Sequence, residues 1–385
     1  MTAGYYYRCP TTILTGPGVA AEVGQQAKTL NASRVLIVTD PGVAKTPHMR
    51  TVTDSLASSA IAYEVLDRVE PDPAIEVVED NVGVVVAGRF DAIVALGGGS
   101  SIDVAKGLRL LGQFGGSLRD YAPGNKVPRP LAIPLIAIST TAGTGSQVSF
   151  GAVFSDKQRG TKFTISSPNL APTLALNDPL VTMGAPAMVT ATAGMDALGH
   201  AIESYLSARA NPYTEIWSLE AVRLVSRNLP RVMKDGEDLA ARDAMLLAST
   251  IAIVSATNCG LGADHALAMP LCTLFELPHG LVIGMMLASV MEYNLEASAT
   301  RLAQVAAAMG VDISGMAEST AGVKAIEAVR TLADEVGLPR RLRDVGVKEE
   351  MIPLIAELAM QSFQVPNNPR EMTSQSVEAM LRRAY

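Results

Sequence analysis

At 385 residues the chain exceeds the length at which a single hydrophobic core usually stops growing, so two domains are expected. Hydrophobic residues make up 48% and charged residues 18%, which excludes an intrinsically disordered chain. A net charge of -7 with no run of Lys or Arg gives no basic footprint for nucleic acid or anionic lipid, leaving small molecules as the expected partners.

Three cysteines, Cys9, Cys259 and Cys272, form no CxxC pair, so neither a disulfide framework nor a thiolate zinc site is indicated. A reducing compartment fits, and the expectation is a cytoplasmic protein. The opening stretch from Met1 to Pro10 has tyrosines and an arginine where a secretory signal needs an apolar core.

In chain order, β-rich runs alternate with helical patterns up to about residue 140, the signature of a parallel sheet with crossover helices. The runs Arg34 to Thr39, Ile61 to Leu66, Asp91 to Leu96 and Leu131 to Ile138, the last broken by Pro134, read as strands. Thr46 to Ser58, Ala74 to Arg89 and Ile102 to Leu111 read as helices. This half is expected to be a doubly wound α/β domain, residues 1–184. From Phe150 to Pro179 the chain reads as a turn-rich crossover of loops.

Beyond residue 185 Ala, Leu and Met-rich segments with helical spacing take over: Pro186 to Ala208, Tyr213 to Leu229, Leu239 to Val254, Leu281 to Tyr293 and Thr300 to Met309. Residues 185–385 are expected to be all-α. The uncharged run from Ala244 to Ala263 is long enough for a bilayer span. It contains Ser249, Thr250, Ser255, Thr257, Asn258, Gly260 and Gly262, so a buried helix followed by a turn is expected, and no membrane.

Three stretches carry chemistry. Gly97-Gly98-Gly99-Ser100 lies between a strand and a helix, where glycines let backbone approach a diphosphate and the helix start offers unpaired amides. A tight turn capped by Ser100 is the alternative. A second loop, Thr140-Thr141-Ala142-Gly143-Thr144-Gly145-Ser146, supplies hydroxyls and amides for the rest of a nucleotide. Asp40 ends a strand, where a carboxylate accepts from ribose hydroxyls and repels a 2'-phosphate, favouring NAD over NADP; a turn-forming Asp before Pro41-Gly42 is equally compatible with the local sequence.

The third stretch is Gly194-Met195-Asp196-Ala197-Leu198-Gly199-His200-Ala201-Ile202-Glu203. Asp196 and His200, four apart, share one helical face. His265 and His279, two more of the chain's four histidines, lie in apolar sequence near turns. Three imidazoles and a carboxylate suit Fe(II), Zn(II) or another first-row ion, and a shared cation offsets the several kcal/mol that burying such groups unpaired would cost.

These motifs, with Asp103 and Ala105-Lys106 after the first loop, Ser167-Pro168 through Asp178-Pro179, Thr192-Ala193 before Gly194, and Pro278-His279-Gly280, follow one order along the chain. In that order the chain resembles the iron-containing (group III) alcohol dehydrogenases. The resemblance implies an N-terminal dinucleotide-binding domain, a helical C-terminal domain, and a metal in a cleft held by Asp196, His200, His265 and His279. It implies cofactor contacts from Asp40, Asp72, Gly97, Gly98, Gly99, Ser100, Asp103, Thr140, Thr141, Thr144, Ser149, Lys162, Val181 and Gly184, and a homodimer. Two positions depart from the pattern: Met269 stands where many members carry a second histidine near the nicotinamide, and Gln147 where many carry a glutamate.

The implied reaction is hydride transfer between NAD(H) and a small alcohol, aldehyde or ketone whose oxygen meets the metal. With Met269 unable to titrate, no catalytic side chain is assigned, and the proton is expected to leave through cofactor ribose hydroxyls or water. Met269, Leu271, Leu274 and Phe275 are read as an apolar lining for a weakly polar substrate. The alternatives are a glycerol or polyol dehydrogenase, a maleylacetate reductase-like enzyme or a dehydroquinate synthase-like lyase on the same scaffold, and a nucleotide-binding protein with a structural metal.

Overall fold

The computed structural model describes residues 4–159 and 161–385; the first three residues of the tyrosine-rich opening, and Gly160, lie outside it. The chain divides into two compact units, one from Arg8 to Ala185, the other from Pro186 to Tyr385 together with the N-terminal residues up to Tyr7.

In the first unit β1 (Thr12–Thr15), β2 (Arg34–Val38), β3 (Ala62–Leu66), β4 (Ala92–Gly97), β5 (Leu135–Ser139) and β8 (Leu174–Asn177) form one sheet in the order β1-β8-β5-β4-β2-β3. Every pairing in it is parallel. A parallel sheet is covered on both faces, so its central strands read as unbroken apolar runs, here Val35-Leu36-Ile37-Val38 and Ala92-Ile93-Val94-Ala95-Leu96. Side chains still alternate. Leu36, Val38, Ile93, Ala95, Leu135 and Ala137 join the core on one face, while Val35, Ile37, Ala92, Val94, Leu96, Ile136 and Ile138 join the core on the other. The first face is covered by α3 (Ile75–Glu79), α4 (Val82–Gly88) and α5 (Gly99–Phe114), and the second by α1 (Val23–Thr29) and α2 (Pro47–Ser58).

Three local expectations are corrected. The single helix from Ala74 to Arg89 is two, α3 and α4, because the Asn81 side chain bonds back to the Val77 carbonyl at 2.9 Å and competes with the helical ladder. The strand expected from Leu131 starts at Leu135, just past Pro134, which has no amide for the ladder. The stretch from Phe150 to Pro179 is not loops alone: it holds the antiparallel hairpin β6 (Gly151–Asp156) and β7 (Thr161–Ser166), and then β8. Its turn residues hid strands of four to six residues.

The second unit is helical: α6 (Ala187–Leu206), α7 (Pro212–Lys234), α8 (Leu239–Cys259), α9 (Ala263–Phe275), α10 (His279–Ala308), α11 (Glu318–Glu335), α12 (Ile352–Ala359) and α13 (Ser374–Ala384). The two helices expected between Leu281 and Met309 are both present in α10, joined by a kink at Ser298, whose φ of -136° is non-helical. α8 is long and apolar enough to cross a membrane by length and composition, but it packs against α6 and α7 and ends in a turn at Gly260. Leu271 is fully buried in the core of α9, α10, α12 and α13, and Leu274 and Phe275 pack against that core. The expected apolar lining is corrected for Leu271, whose side chain fills the space between helices.

Candidate metal centre and dinucleotide site

α6 is built almost wholly of apolar and small residues, as a helix surrounded on all sides must be, and Asp196, His200 and Glu203 are its buried polar exceptions. At spacings of four and three they share one face. Two more helices bring their first turns to that face. A Cβ on Gly280 would lie 2.3 Å from the Thr192 carbonyl oxygen and 3.2 Å from Asp196 Cβ, so only glycine lets the start of α10 approach α6 this closely. That approach delivers His279.

Asp196 Oδ1 lies 3.9 Å from His200 Nδ1, 3.8 Å from His265 Nε2 and 3.6 Å from His279 Nε2. Asp196, His265 and His279 each offer a ligand atom within 4.8 Å of the other two. His200 stands beside the trio, its ring stacked on that of His265 with centroids 4.7 Å apart. Separations near 3.7 Å are too long for hydrogen bonds but match an ion's shell, since ligands about 2.1 Å from a tetrahedral cation stand about 3.4 Å apart. Asp196 Oδ1, His200 Nδ1 and His265 Nε2 are buried without a hydrogen-bond partner. Left so, each would carry a desolvation penalty of about 1–3 kcal/mol or more. The donor set and its orphaned atoms fit a divalent cation.

His265 is held in the form a metal needs. Its Nδ1 lies 2.6 Å from Glu203 Oε2 and donates to it, which leaves Nε2 with the lone pair facing Asp196. Burial first, then the neighbouring His200 and His279, keeps the imidazole pKa well below its ordinary value, so the ring is neutral. Glu203 also accepts from the Asp264 amide at 2.7 Å and the His265 amide at 3.4 Å, satisfying α9's opening turn in the manner of a cap. Burial pushes its carboxyl up to about 7 against those amides, which pull it down. Asp264, beside it, is fully buried with neither carboxyl oxygen hydrogen-bonded, and burial, with Glu203 and Asp196 adding to it, raises its pKa far above the carboxylate range. Sequence reasoning missed both roles. Glu203 had a signal in its helical register with Asp196 and His200, whereas Asp264 had none.

In the first unit the expected loops adjoin at the carboxyl ends of β2, β4 and β5, where the strand order reverses direction between β2 and β4. α5 begins at Gly99 with Gly98 as its N-cap and no side chain capping it, so the first-turn amides stay open to an anion. Ser100 is therefore within the helix and is not the cap. Gly97 has φ +155°, and a Cβ there would stand 2.4 Å from Ser101 Oγ and 2.7 Å from Ser101 Cβ. Gly97→Ala is expected to lower stability by about 2 kcal/mol or more, read as a fall in Tm.

A Cβ on Gly99 would meet Thr144 Oγ1 at 2.9 Å and one on Gly98 would meet Thr141 at 3.7 Å, so the two loops are packed together. Thr140 donates its amide to the Gly97 carbonyl at 3.0 Å. Asp40 Oδ1 accepts from the Gly42 and Val43 amides, both at 2.9 Å, and Oδ2 faces Gly97. The turn-forming reading of Asp40 thus finds its oxygen. Other expected contacts are engaged within the unit. Lys162 Nζ pairs with Asp72 at 2.6 Å, Asp103 accepts from Ser146 and the Val153 amide, Ser149 donates to the Gly151 carbonyl, Val181 is a core residue, and Gly184 takes φ +80°.

Comparison with known proteins agrees with this arrangement. The family profile described as "Iron-containing alcohol dehydrogenase" matches residues 10–179, and that described as "Fe-containing alcohol dehydrogenase family, C-terminal" matches residues 190–385. The 1,3-propanediol dehydrogenase of Klebsiella pneumoniae is 37% identical over 381 residues, 98% of each chain. The NAD-dependent methanol dehydrogenase of Bacillus methanolicus is 35% identical over 375 residues, 97% of this chain and 98% of that one. A crystal structure of a 1,3-propanediol oxidoreductase superposes with a TM-score of 0.97 at 36% identity, covering all of both chains. With its helical unit carrying a convergent Asp and His set and both halves matched end to end, the chain belongs to the iron-containing alcohol dehydrogenase family, oxidoreductases of alcohols and aldehydes.

Proposed function

We propose that this protein interconverts a small alcohol and its aldehyde or ketone with NAD(H), using a divalent cation, Fe(II) or Zn(II), held by Asp196, His200, His265 and His279. The observation that carries the reading is the convergence of three imidazole nitrogens on Asp196 Oδ1 at 3.6–3.9 Å, with three of those four atoms buried and orphaned. When bound, the cation supplies Lewis-acid polarisation of the substrate oxygen and the dinucleotide supplies the hydride acceptor.

The chain's own residues prepare the rest. Glu203 fixes the His265 tautomer so that Nε2 faces the ligand cluster. The uncapped start of α5 would direct amides at a diphosphate, and Asp40 Oδ2, which faces Gly97, would accept from ribose hydroxyls. Met269, one turn beyond His265 on α9, offers a thioether with no proton to exchange, so it relays none. The four convergent ligands favour this reading over a metal-free reductase on the same scaffold.

Asp40 sets the cofactor. Asp40→Asn keeps an oxygen to accept from the Gly42 and Val43 amides but removes the charge that repels a 2'-phosphate. Its ratio of kcat/KM for NADP to that for NAD is expected to rise about tenfold or more, about 1.4 kcal/mol; an unchanged ratio would return Asp40 to a turn-forming role. The reading as a whole is tested by assaying a panel of alcohols and aldehydes with NAD(H) and NADP(H) on apoprotein reloaded with single metals. Stoichiometric metal with no hydride transfer to or from any of them would contradict it. A cytoplasmic homodimer is part of the proposal, supported by three cysteines of which none is in a disulfide and by the assembly common among the proteins it resembles. Light scattering checks it, against a chain mass of 40.3 kDa.

A further inference from the structure

Lys106 is the largest fully buried side chain among the described residues, and it carries a charge. Its Nζ donates to Ser146 Oγ at 2.9 Å, Ser149 Oγ at 3.0 Å and the Gly151 carbonyl at 2.6 Å, and lies 3.5 Å from Asp103 Oδ1. Asp103 in turn accepts from Ser146 Oγ at 2.5 Å and from the Val153 amide at 2.9 Å. The acid and the base are one turn apart on α5, and every partner outside that helix lies in the second loop, at Ser149 just after it, or on β6.

Desolvation drives Lys106 down to about 8 and raises Asp103, so each ion sits where burial disfavours its charge. A pair placed this way adds little stability over apolar packing of the same volume, whereas it does fix one arrangement of what it joins. Here it joins the helix that begins at the first loop to the strand and loop that form the second.

We propose that Lys106, acting through Ser146 and Asp103, is a positioning residue for the dinucleotide: it holds the segment from Thr140 to Ser149 in the register on α5 that seats Thr144 against Gly99 and Thr141 against Gly98. This rests on the reading that the two loops bind NAD(H). With the ammonium gone, two hydroxyls and a carbonyl lose their common donor, and the loop must shift for water to reach them. The first loop keeps its glycine geometry, so binding weakens without vanishing.

The test is NADH titration of the full-length protein, the wild type beside Lys106→Met and Ser146→Ala, together with steady-state kinetics and metal content. Lys106→Met is expected to raise the NADH Kd and the KM for NAD at least tenfold and Ser146→Ala about threefold. Metal per chain and the KM for alcohol at saturating NAD are expected within twofold of wild type, and kcat within threefold. If Lys106→Met does not fold, Ser146→Ala carries the test, because it leaves the ammonium its other partners. Wild-type Kd values in the variants would overturn the proposal, as would a uniform loss of metal, kcat and NADH affinity, which marks general disorder of the fold. A wild type that binds no NADH would instead overturn the NAD reading, and the proposal with it.

Discussion

Asp196→Ala is expected to leave a folded protein that retains no stoichiometric metal and loses about a thousand-fold or more in kcat/KM for alcohol oxidation, the equivalent of about 4 kcal/mol of transition-state stabilisation. Asp196 is the one carboxylate in the cluster, and its Oδ1 is the atom on which all three histidines converge. Removing it takes away the negative charge that balances the cation and leaves three imidazoles, one of them already neutral through burial. The fold should tolerate the change, because Asp196 Oδ1 has no hydrogen-bond partner whose loss would orphan another group. Metal analysis and a thermal melt on the same preparation check both halves. A variant that keeps full metal occupancy would move the site elsewhere.

Glu203→Gln is expected to weaken metal binding about 10–100-fold while changing kcat at saturating metal only a few-fold. Glutamine keeps one oxygen, for the Asp264 amide that meets Oε1, but its NH2 group stands where Oε2 accepts from the His265 amide and Nδ1, so it cannot draw the Nδ1 proton and sharpen Nε2 as a ligand. Glu203→Ala goes further. It strips both amides of their acceptor, and a buried amide without one costs about 1–3 kcal/mol, so its Tm should fall further than that of Glu203→Gln. Chelator competition with Co(II) as a spectroscopic probe separates affinity from turnover, and equal Co(II) affinity in wild type and Glu203→Gln would remove the argument for Glu203.

Much of this was legible before the structure. The parallel sheet is visible in unbroken runs such as Val35 to Val38 because both faces of each central strand are buried, so local pattern and tertiary environment coincide there. The cluster around Asp196 is legible because polar side chains are rare in apolar sequence: Asp196 and His200 declare a shared face by spacing, and His265 and His279 stand out among alanines, leucines and methionines. What was hidden depended on long-range pairing. β8 is four residues long and becomes a strand only because β1 and β5 flank it, and α9, which carries His265, is not set apart by its local sequence. Nothing local shows that Lys106 is buried, since its place in α5 looks like any cation on a helix until the second loop closes over it. Leu271 is hidden for the same reason, because a core against α10, α12 and α13 and a ligand lining look alike in sequence.

The central claim is a single cation shared by four side chains on three helices. Anomalous diffraction at the iron absorption edge, from crystals of protein reconstituted with Fe(II), tests it most directly. One peak is expected, about 2.0–2.3 Å from Asp196 Oδ1, from Nε2 of His265 and His279, and from a ring nitrogen of His200. No peak there, or a peak ligated by other residues, would contradict it.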